Sequence, residues 1–321
     1  MKDIIRNPEF LEDTLQGLSS MPKYLLSKYF YNEQGSKIFQ QIMKMPEYYL
    51  TDCEHEIFAI HKKQIIEAFS KENSPFDLIE LGAGDGTKTK ILLHQLVAHS
   101  VNFNYCPIDI SQIANDELHK SLKQEIPSIE VTPQTGDFFK ILGAKNGYAS
   151  IRKVVLFLGS NVGNFSDNEL HVFFTKLKDF THRGDQVLIG FDLKKSPHVI
   201  MNAYDDVHGH TRSFNLNHLS RLNTELNADF NLSQFEYYTE YSPETGALKS
   251  YLVSTENQAV HIGALEKDFK FRKWEPLFME LSRKFDTETI ENIAAKYGFR
   301  VVQQFTDRRN YFVDSLWARE S

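Results

Sequence analysis

A chain of 321 residues, 41% hydrophobic and 25% charged, is long enough for one large domain or two ordinary ones and can bury a sizeable core. Its net charge of -7, with no long basic run, argues against a nucleic-acid or anionic-membrane partner and points to a small ligand. Only Cys53 and Cys106 are present, too few for a disulfide scaffold and without metal-ligand spacing, which suits a reducing cytosol.

The first residues carry no apolar core of signal-peptide length, and the densest hydrophobic run, Val154-Val155-Leu156-Phe157-Leu158, is strand-sized. A soluble cytoplasmic enzyme is the expected class.

In chain order, residues 9–22 read as a helix ended near Pro22. Ser36 is the expected cap of a second helix with the stripe Ile38, Phe39 and Ile42. Pro46-Glu47-Tyr48-Tyr49 breaks it, and residues 52–70 resume as a helix. Tyr31 and Tyr48 stand among polar residues, and packing explains them as well as ligand contact does.

The stretch that organises the chain follows. Phe76-Asp77-Leu78-Ile79-Glu80-Leu81 is a short apolar run, Gly82-Ala83-Gly84-Asp85-Gly86 places glycines at alternate positions, and Ile91-Leu92-Leu93 opens a helical pattern. Strand, tight turn and helix in that order open a dinucleotide-type α/β domain, with glycines where a backbone must pass close to a ligand. Taken alone, such a turn is a weak signal.

Four more strands follow. Phe103–Ser111 reads as a second strand ending at an acidic residue, Asp109, roughly 20 residues beyond the glycines, where this fold class puts a carboxylate on the hydroxyls of a ribose. Residues 129–138 give a third strand ending at Asp137 and Phe138, which suit an adenine amine and ring edge; a loop-start turn is the plainer reading of Asp137. The fourth, Lys153–Leu158, runs into Gly159-Ser160-Asn161-Val162-Gly163-Asn164 and a helix capped by Ser166 or Asp167. Turn geometry accounts for the glycines there but less well for Asn164. The fifth is Gln186–Asp192. Ligands of such sheets lie beyond the carboxyl ends of the strands, so these ends point at one crevice.

Residues 197–284 break the alternation as an α+β insertion, with a helix over 214–223 and antiparallel strands at 235–241, 249–254 and 258–262. Asp205, Asp206, His208 and His210 within it match no ligand pattern of required geometry, and no metal is expected. A helix over 287–298 and two antiparallel strands, 299–305 and 311–318, close the chain. That hairpin favours a methyl-transfer fold over a dehydrogenase.

The segments Phe30-Tyr31-Asn32-Glu33-Gln34-Gly35-Ser36, Pro46-Glu47-Tyr48-Tyr49, Glu80-Leu81-Gly82-Ala83-Gly84, Phe157-Leu158-Gly159-Ser160-Asn161-Val162-Gly163-Asn164 and Ala203-Tyr204-Asp205-Asp206 occur together and in this order. In that combination the chain resembles the histidine-specific, S-adenosylmethionine-dependent methyltransferases of ergothioneine biosynthesis, from about residue 15 onward. The resemblance implies a Rossmann-like class I methyltransferase sheet that binds S-adenosyl-L-methionine, over 60–196 and 285–321. It also implies an α+β substrate-binding domain over 1–59 and 197–284, a monomer, and methylation of the α-amine of L-histidine to hercynine.

Carried over by motif, Gly82, Gly84 and Lys88 belong to the donor's methionine side, Asp109 to its ribose, and Asp137 with Phe138 to its adenine. Gly159, Asn164 and Tyr204 lie with the substrate, the last two at its carboxylate, Tyr48 at its imidazole and Tyr31 beside its amine. Glu280 and Ser282 match a Glu-x-Ser pair that reads the imidazole, whose two nitrogens a carboxylate and a hydroxyl on one extended segment can meet from one side. The sequence departs from the family where Leu248-Lys249-Ser250 replaces the usual Ile-Glu-Met, and at Val207-His208-Gly209-His210, where small apolar residues are common. Both changes leave open another amino acid or amine as substrate. A non-catalytic donor-binding module is the alternative outside enzymes.

Overall fold

The computed structural model describes residues 7–72, 74–144 and 151–320. Helices α1 (Pro8–Ser19), α2 (Glu33–Ile42) and α3 (Tyr49–Ser70) lead into β1 (Phe76–Leu81). There follow α4 (Thr89–Ala98), β2 (Phe103–Asp109), α5 (Gln112–Glu125), β3 (Glu130–Val131), β4 (Gln134–Thr135), α6 (Phe138–Ala144), β5 (Arg152–Phe157), α7 (Asp167–Phe180) and β6 (Gln186–Asp192). Next come α8 (Pro197–Tyr204), α9 (His210–Glu225), β7 (Phe235–Ser242), β8 (Ala247–Ser254), β9 (Gln258–Ile262), β10 (Lys267–Phe271) and β11 (Pro276–Arg283). Helix α10 (Thr287–Lys296) and strands β12 (Phe299–Thr306) and β13 (Phe312–Arg319) end the chain.

The chain divides into two compact units, one of Met1–Tyr49 with Lys195–Arg283, the other of Leu50–Lys194 with Lys284–Ser321. The first junction falls about ten residues before the 59/60 division read from the sequence, because α3 runs unbroken from Tyr49 and its residues 50–70 stay with the second unit.

The second unit is built on one sheet in the order β12-β13-β6-β5-β1-β2-β3, with β4 also on β2. Strands β6, β5, β1 and β2 are parallel, and β13 joins β6 antiparallel, so the terminal hairpin finishes the sheet. Residues 153–157 of β5 and 187–192 of β6 are buried without a break, as strands covered on both faces must be. The third strand of the sequence reading is broken in two, because Pro133 has no N–H with which to continue the ladder. Ser166 does cap α7, in a full capping box with Glu169.

The first unit has its own core, in which Phe10, Phe30, Leu219, Leu222, Leu252 and Leu277 are buried together. Strands β11-β8-β7 form an antiparallel sheet, while β9 pairs with β10 instead. The sequence reading put β9 in that sheet, but the turn at Gly263–Leu265 folds the next strand back on it and β11 takes the vacant edge of β8. Helix α2 starts earlier than expected. Asn32, not Ser36, caps it, its Oδ1 accepting the Gly35 N–H at 2.7 Å.

Candidate active site

In the second unit the carboxyl ends of β1, β2 and β5 carry the residues expected to hold a nucleotide-linked donor. Gly82, Gly84 and Gly86 have φ of 74°, 55° and 65°, left-handed values that explain their alternate spacing. A Cβ at Gly84 would meet nothing within 4 Å, so the turn borders open space. Across that turn, Asp109 at the end of β2 accepts the Gly84 N–H at 3.0 Å on one oxygen and the Ser111 N–H at 2.9 Å on the other. Each oxygen keeps a lone pair, the requirement for gripping a vicinal diol. The open turn, the positive-φ backbone and the anchored acid together fit a ribose-bearing cofactor.

Asp137 accepts the Phe139 N–H on Oδ1 at 2.7 Å and so starts α6, as the turn reading proposed, while Oδ2 stays outside that bond. The Phe138 ring packs on Phe139, Phe157 and Phe173 with centroids 4.5, 5.7 and 6.2 Å away, which gives it a fixed orientation. Beyond β5, Gly159 (φ 75°) and Ser160 (φ 57°) turn the chain into a 3-10 turn, Asn161–Asn164, that ends at the half-buried Asn164.

Lys88, at the start of α4, is tied by its ammonium to the carboxylate of Glu54 from α3. Burial lowers its pKa but the Glu54 charge more than compensates, so it stays a cation. Glu80 is wholly enclosed beneath the glycine turn, accepting from Thr89 Oγ1 at 2.7 Å and from the Tyr105 hydroxyl. Burial first, tempered by those two donors, pushes its pKa up to about 7.

In the first unit Tyr31, Tyr48, Tyr204, Glu280 and Ser282, of the residues expected at the substrate, also gather; Gly159 and Asn164 belong to the second. A β-bulge between Phe278 and Glu280 is decisive: Leu277 pairs with Leu252, but Glu280, rather than Met279, stands opposite Ser250. Because side chains alternate, the inserted residue moves Glu280 onto the same face as Ser282, Ser250 and Tyr237. Tyr204, the last residue of α8, reaches this face and its hydroxyl lies 2.8 Å from Ser282 Oγ.

The Tyr237 hydroxyl donates to the Tyr204 carbonyl at 2.9 Å and lies 3.1 Å from Ser250 Oγ. Burial first, with the Glu280 charge behind it, holds the Tyr237 phenol well above its ordinary pKa. Tyr31 is shifted the same way by burial and then by the charges of Glu280 and Tyr204, which puts these side chains within electrostatic reach of one another. Since Tyr31 is 46% exposed, water tempers the burial contribution, and the direction is what matters. The rings of Tyr31, Phe39, Tyr48 and Tyr204 follow one another edge to face at 5.4, 6.2 and 6.3 Å.

The Asp205–His210 segment has other work. Asp206 accepts the His210 and Thr211 N–H groups, each at 2.8 Å, and so holds the start of α9. Burial raises its pKa, but those amides outweigh it and leave the carboxyl below its ordinary range. Among the described residues no group of acidic, His or Cys side chains could hold a metal ion, and no described helix is long and apolar enough to cross a membrane.

Glu54, Ser250 as a hydrogen-bonding partner, and Tyr237 escaped the sequence reading. For Glu54 a signal existed: positions 54, 58, 61 and 65 share one helical face, and Phe58 and Ile65 mark that face as buried.

A parallel sheet closed by an antiparallel hairpin, with a glycine turn and an anchored carboxylate at its strand ends, is the architecture of an S-adenosylmethionine-dependent methyltransferase. Comparison with known proteins narrows this. The profile of the family described as "Histidine-specific methyltransferase, SAM-dependent" matches residues 10–319, and the chain belongs to that family. It is 34% identical to the histidine N-alpha-methyltransferase of Mycolicibacterium smegmatis, covering 96% of this chain and 94% of that protein. The protein of that name from Mycobacterium tuberculosis is 31% identical over 96% of this chain and 94% of its own. A more distant relative, the L-tryptophan methyltransferase trpM of Psilocybe serbica, is 26% identical over 91% of this chain and 87% of its own.

Proposed function

We propose that this enzyme methylates the α-amine of L-histidine, with the second unit holding the donor and the first reading the amino acid. S-adenosylmethionine, when bound, supplies a methyl group already activated on a sulfonium. This chain's task is therefore to bind, orient and exclude water.

In this reading Gly82, Gly84 and Lys88 take the methionine side of the donor, Asp109 the ribose, and Asp137 with Phe138 the adenine. Glu280 and Ser282 accept and donate at the two imidazole nitrogens, with Tyr48 against the ring. Tyr204 of the first unit is assigned to the substrate carboxylate, and Gly159 and Asn164 of the second unit remain substrate residues by the resemblance alone. Tyr31 orients the amine, which must be unprotonated to react; its raised phenol pKa makes it a hydrogen-bonding group near neutral pH and not a phenolate base. Aromatic faces nearby also suit the quaternary ammonium that repeated methylation produces.

The observation that carries the reading is the bulge that brings Glu280 onto the face of Ser282 and Tyr204. A half-buried carboxylate there favours a ligand that can donate to it, as an imidazole N–H can and an apolar side chain cannot, which makes it selective. Mass spectrometry of the products across the amino acids tests it: histidine is expected to gain methyl groups while tryptophan and phenylalanine do not. Turnover of an aromatic amino acid in preference to histidine would overturn the assignment. Ser250, a small hydroxyl where the family usually has Met, is the feature that favours such a second reading, a methyltransferase of another amino acid or amine.

A further inference from the structure

Glu54 is a fully buried carboxylate on α3, and each of its contacts leads to a different strand end of the donor unit. One oxygen accepts the Gly159 N–H at 2.7 Å, the amide that follows β5; the other takes the Lys88 ammonium at the start of α4. At β6 the chain makes room for it: a Cβ on Gly190 would lie 2.6 Å from Glu54 Oε1. At β13 the wholly buried Asp314 carboxyl faces it.

Asp314 poses a question of hydrogen bonding. Among the described residues no donor reaches either of its oxygens, and Glu54, the carboxylate that meets it, can only repel it while both are ionised. A proton resolves the conflict, since an Asp314 hydroxyl can donate to Glu54. Burial and then the Glu54 charge both favour that protonated form, and Lys88 opposes it only in part. The charged or titratable groups around Asp314 are therefore Glu54 from α3, Lys88 from the start of α4 and, next to Lys88, Glu80 from β1.

We propose that Glu54 is a positioning residue for the methionine end of S-adenosylmethionine: anchored by the Gly159 amide, it fixes Lys88, and a protonated Asp314 holds Glu54 in place. The ammonium of Lys88 keeps two of its three donors for an anionic ligand. With Asp314 neutral, the Glu54 charge is balanced by Lys88, and a donor carboxylate meets no net repulsion. This rests on the donor reading of Lys88 given above.

Calorimetric titration with two ligands separates the possibilities. S-adenosylhomocysteine carries the amino-acid end; 5′-methylthioadenosine keeps the nucleoside and thioether but lacks it. Glu54→Gln, and independently Gly190→Ala, whose Cβ displaces the carboxylate, should weaken S-adenosylhomocysteine at least about tenfold and leave methylthioadenosine within about threefold. Equal losses for both ligands, no loss for either, or a loss for methylthioadenosine alone would overturn the proposal. Asp314→Asn, whose amide can still donate to Glu54, should bind S-adenosylhomocysteine within about threefold of the parent. A loss there as large as in Glu54→Gln would overturn the assigned proton. Should the parent protein bind neither ligand, the donor reading itself falls, a result distinct from any of these.

Discussion

The Tyr204 hydroxyl lies 2.8 Å from Ser282 Oγ, a hydrogen bond that joins the end of α8 to the edge strand β11 within the first unit. Both groups can donate as well as accept, and the pair can hand a proton direction to whichever ligand atom arrives. Tyr204→Phe keeps the ring, which packs 6.3 Å from Tyr48, and removes only the hydroxyl. Histidine affinity measured with S-adenosylhomocysteine present should fall about tenfold to a hundredfold, the value of roughly 1.5–3 kcal/mol for a hydrogen bond to a charged group. Affinity for S-adenosylhomocysteine alone should not change.

Tyr237 supports Tyr204 from behind. Its hydroxyl is the side-chain donor to the Tyr204 carbonyl and also meets Ser250, so Tyr237→Phe removes both bonds at once. A raised KM for histidine at nearly constant kcat is expected, with a loss of stability of about 1–2 kcal/mol in urea unfolding. Ser250→Ala, which leaves the bond to Tyr204 intact, should raise KM much less. Equal effects of the two substitutions would show that the carbonyl contact does not seat Tyr204.

Much of the donor unit was legible because local chemistry decides it. Alternate glycines required left-handed backbone, Ser166 was one of two expected caps and is the one that caps α7, and unbroken apolar runs spelled buried strands. That Tyr204, Glu280 and Ser282 share one face was legible only through the resemblance. Periodicity alone could not foresee that a bulge would turn Glu280, in place of Met279, toward Ser250, because the register of β11 is set by its packing on β8. Glu54 was hidden for a related reason: it lies in the polar run Asp52–Glu56, and only the helical phase shared with Phe58 and Ile65 shows that it points inward.

The division of labour between the two units makes a crossed prediction. Glu280→Ala should weaken histidine binding by about 2–3 kcal/mol while leaving S-adenosylhomocysteine untouched, since only the imidazole loses its charged partner. Asp109→Ala should do the reverse: it removes the ribose acceptor and also frees the Gly84 amide, loosening the glycine turn. Titrating each ligand into each variant checks this. Comparable losses for both ligands in both variants would dissolve the division.

His218 sets a pH limit on the first unit. It is wholly buried on α9 among Phe10, Tyr29 and Phe30, with centroids 6.1, 6.2 and 5.5 Å away, and neither ring nitrogen has a hydrogen-bond partner among the described residues. Burial, aided by the nearby Arg221 charge, depresses its pKa to about 3. The sign follows from linkage. Above pH 6.5 the imidazole is neutral whether folded or not and contributes no pH dependence; below it the unfolded chain takes a proton that the folded chain refuses, so stability falls with pH until about 3. At pH 4.5 this one residue should cost on the order of 2–3 kcal/mol relative to pH 7. Urea unfolding of His218→Phe between pH 7 and 4.5 should lose that much less stability than the parent, even where the larger ring lowers stability at pH 7. Parallel pH curves for the two proteins would mean that His218 is protonated in the folded state, and that water or a partner reaches its ring.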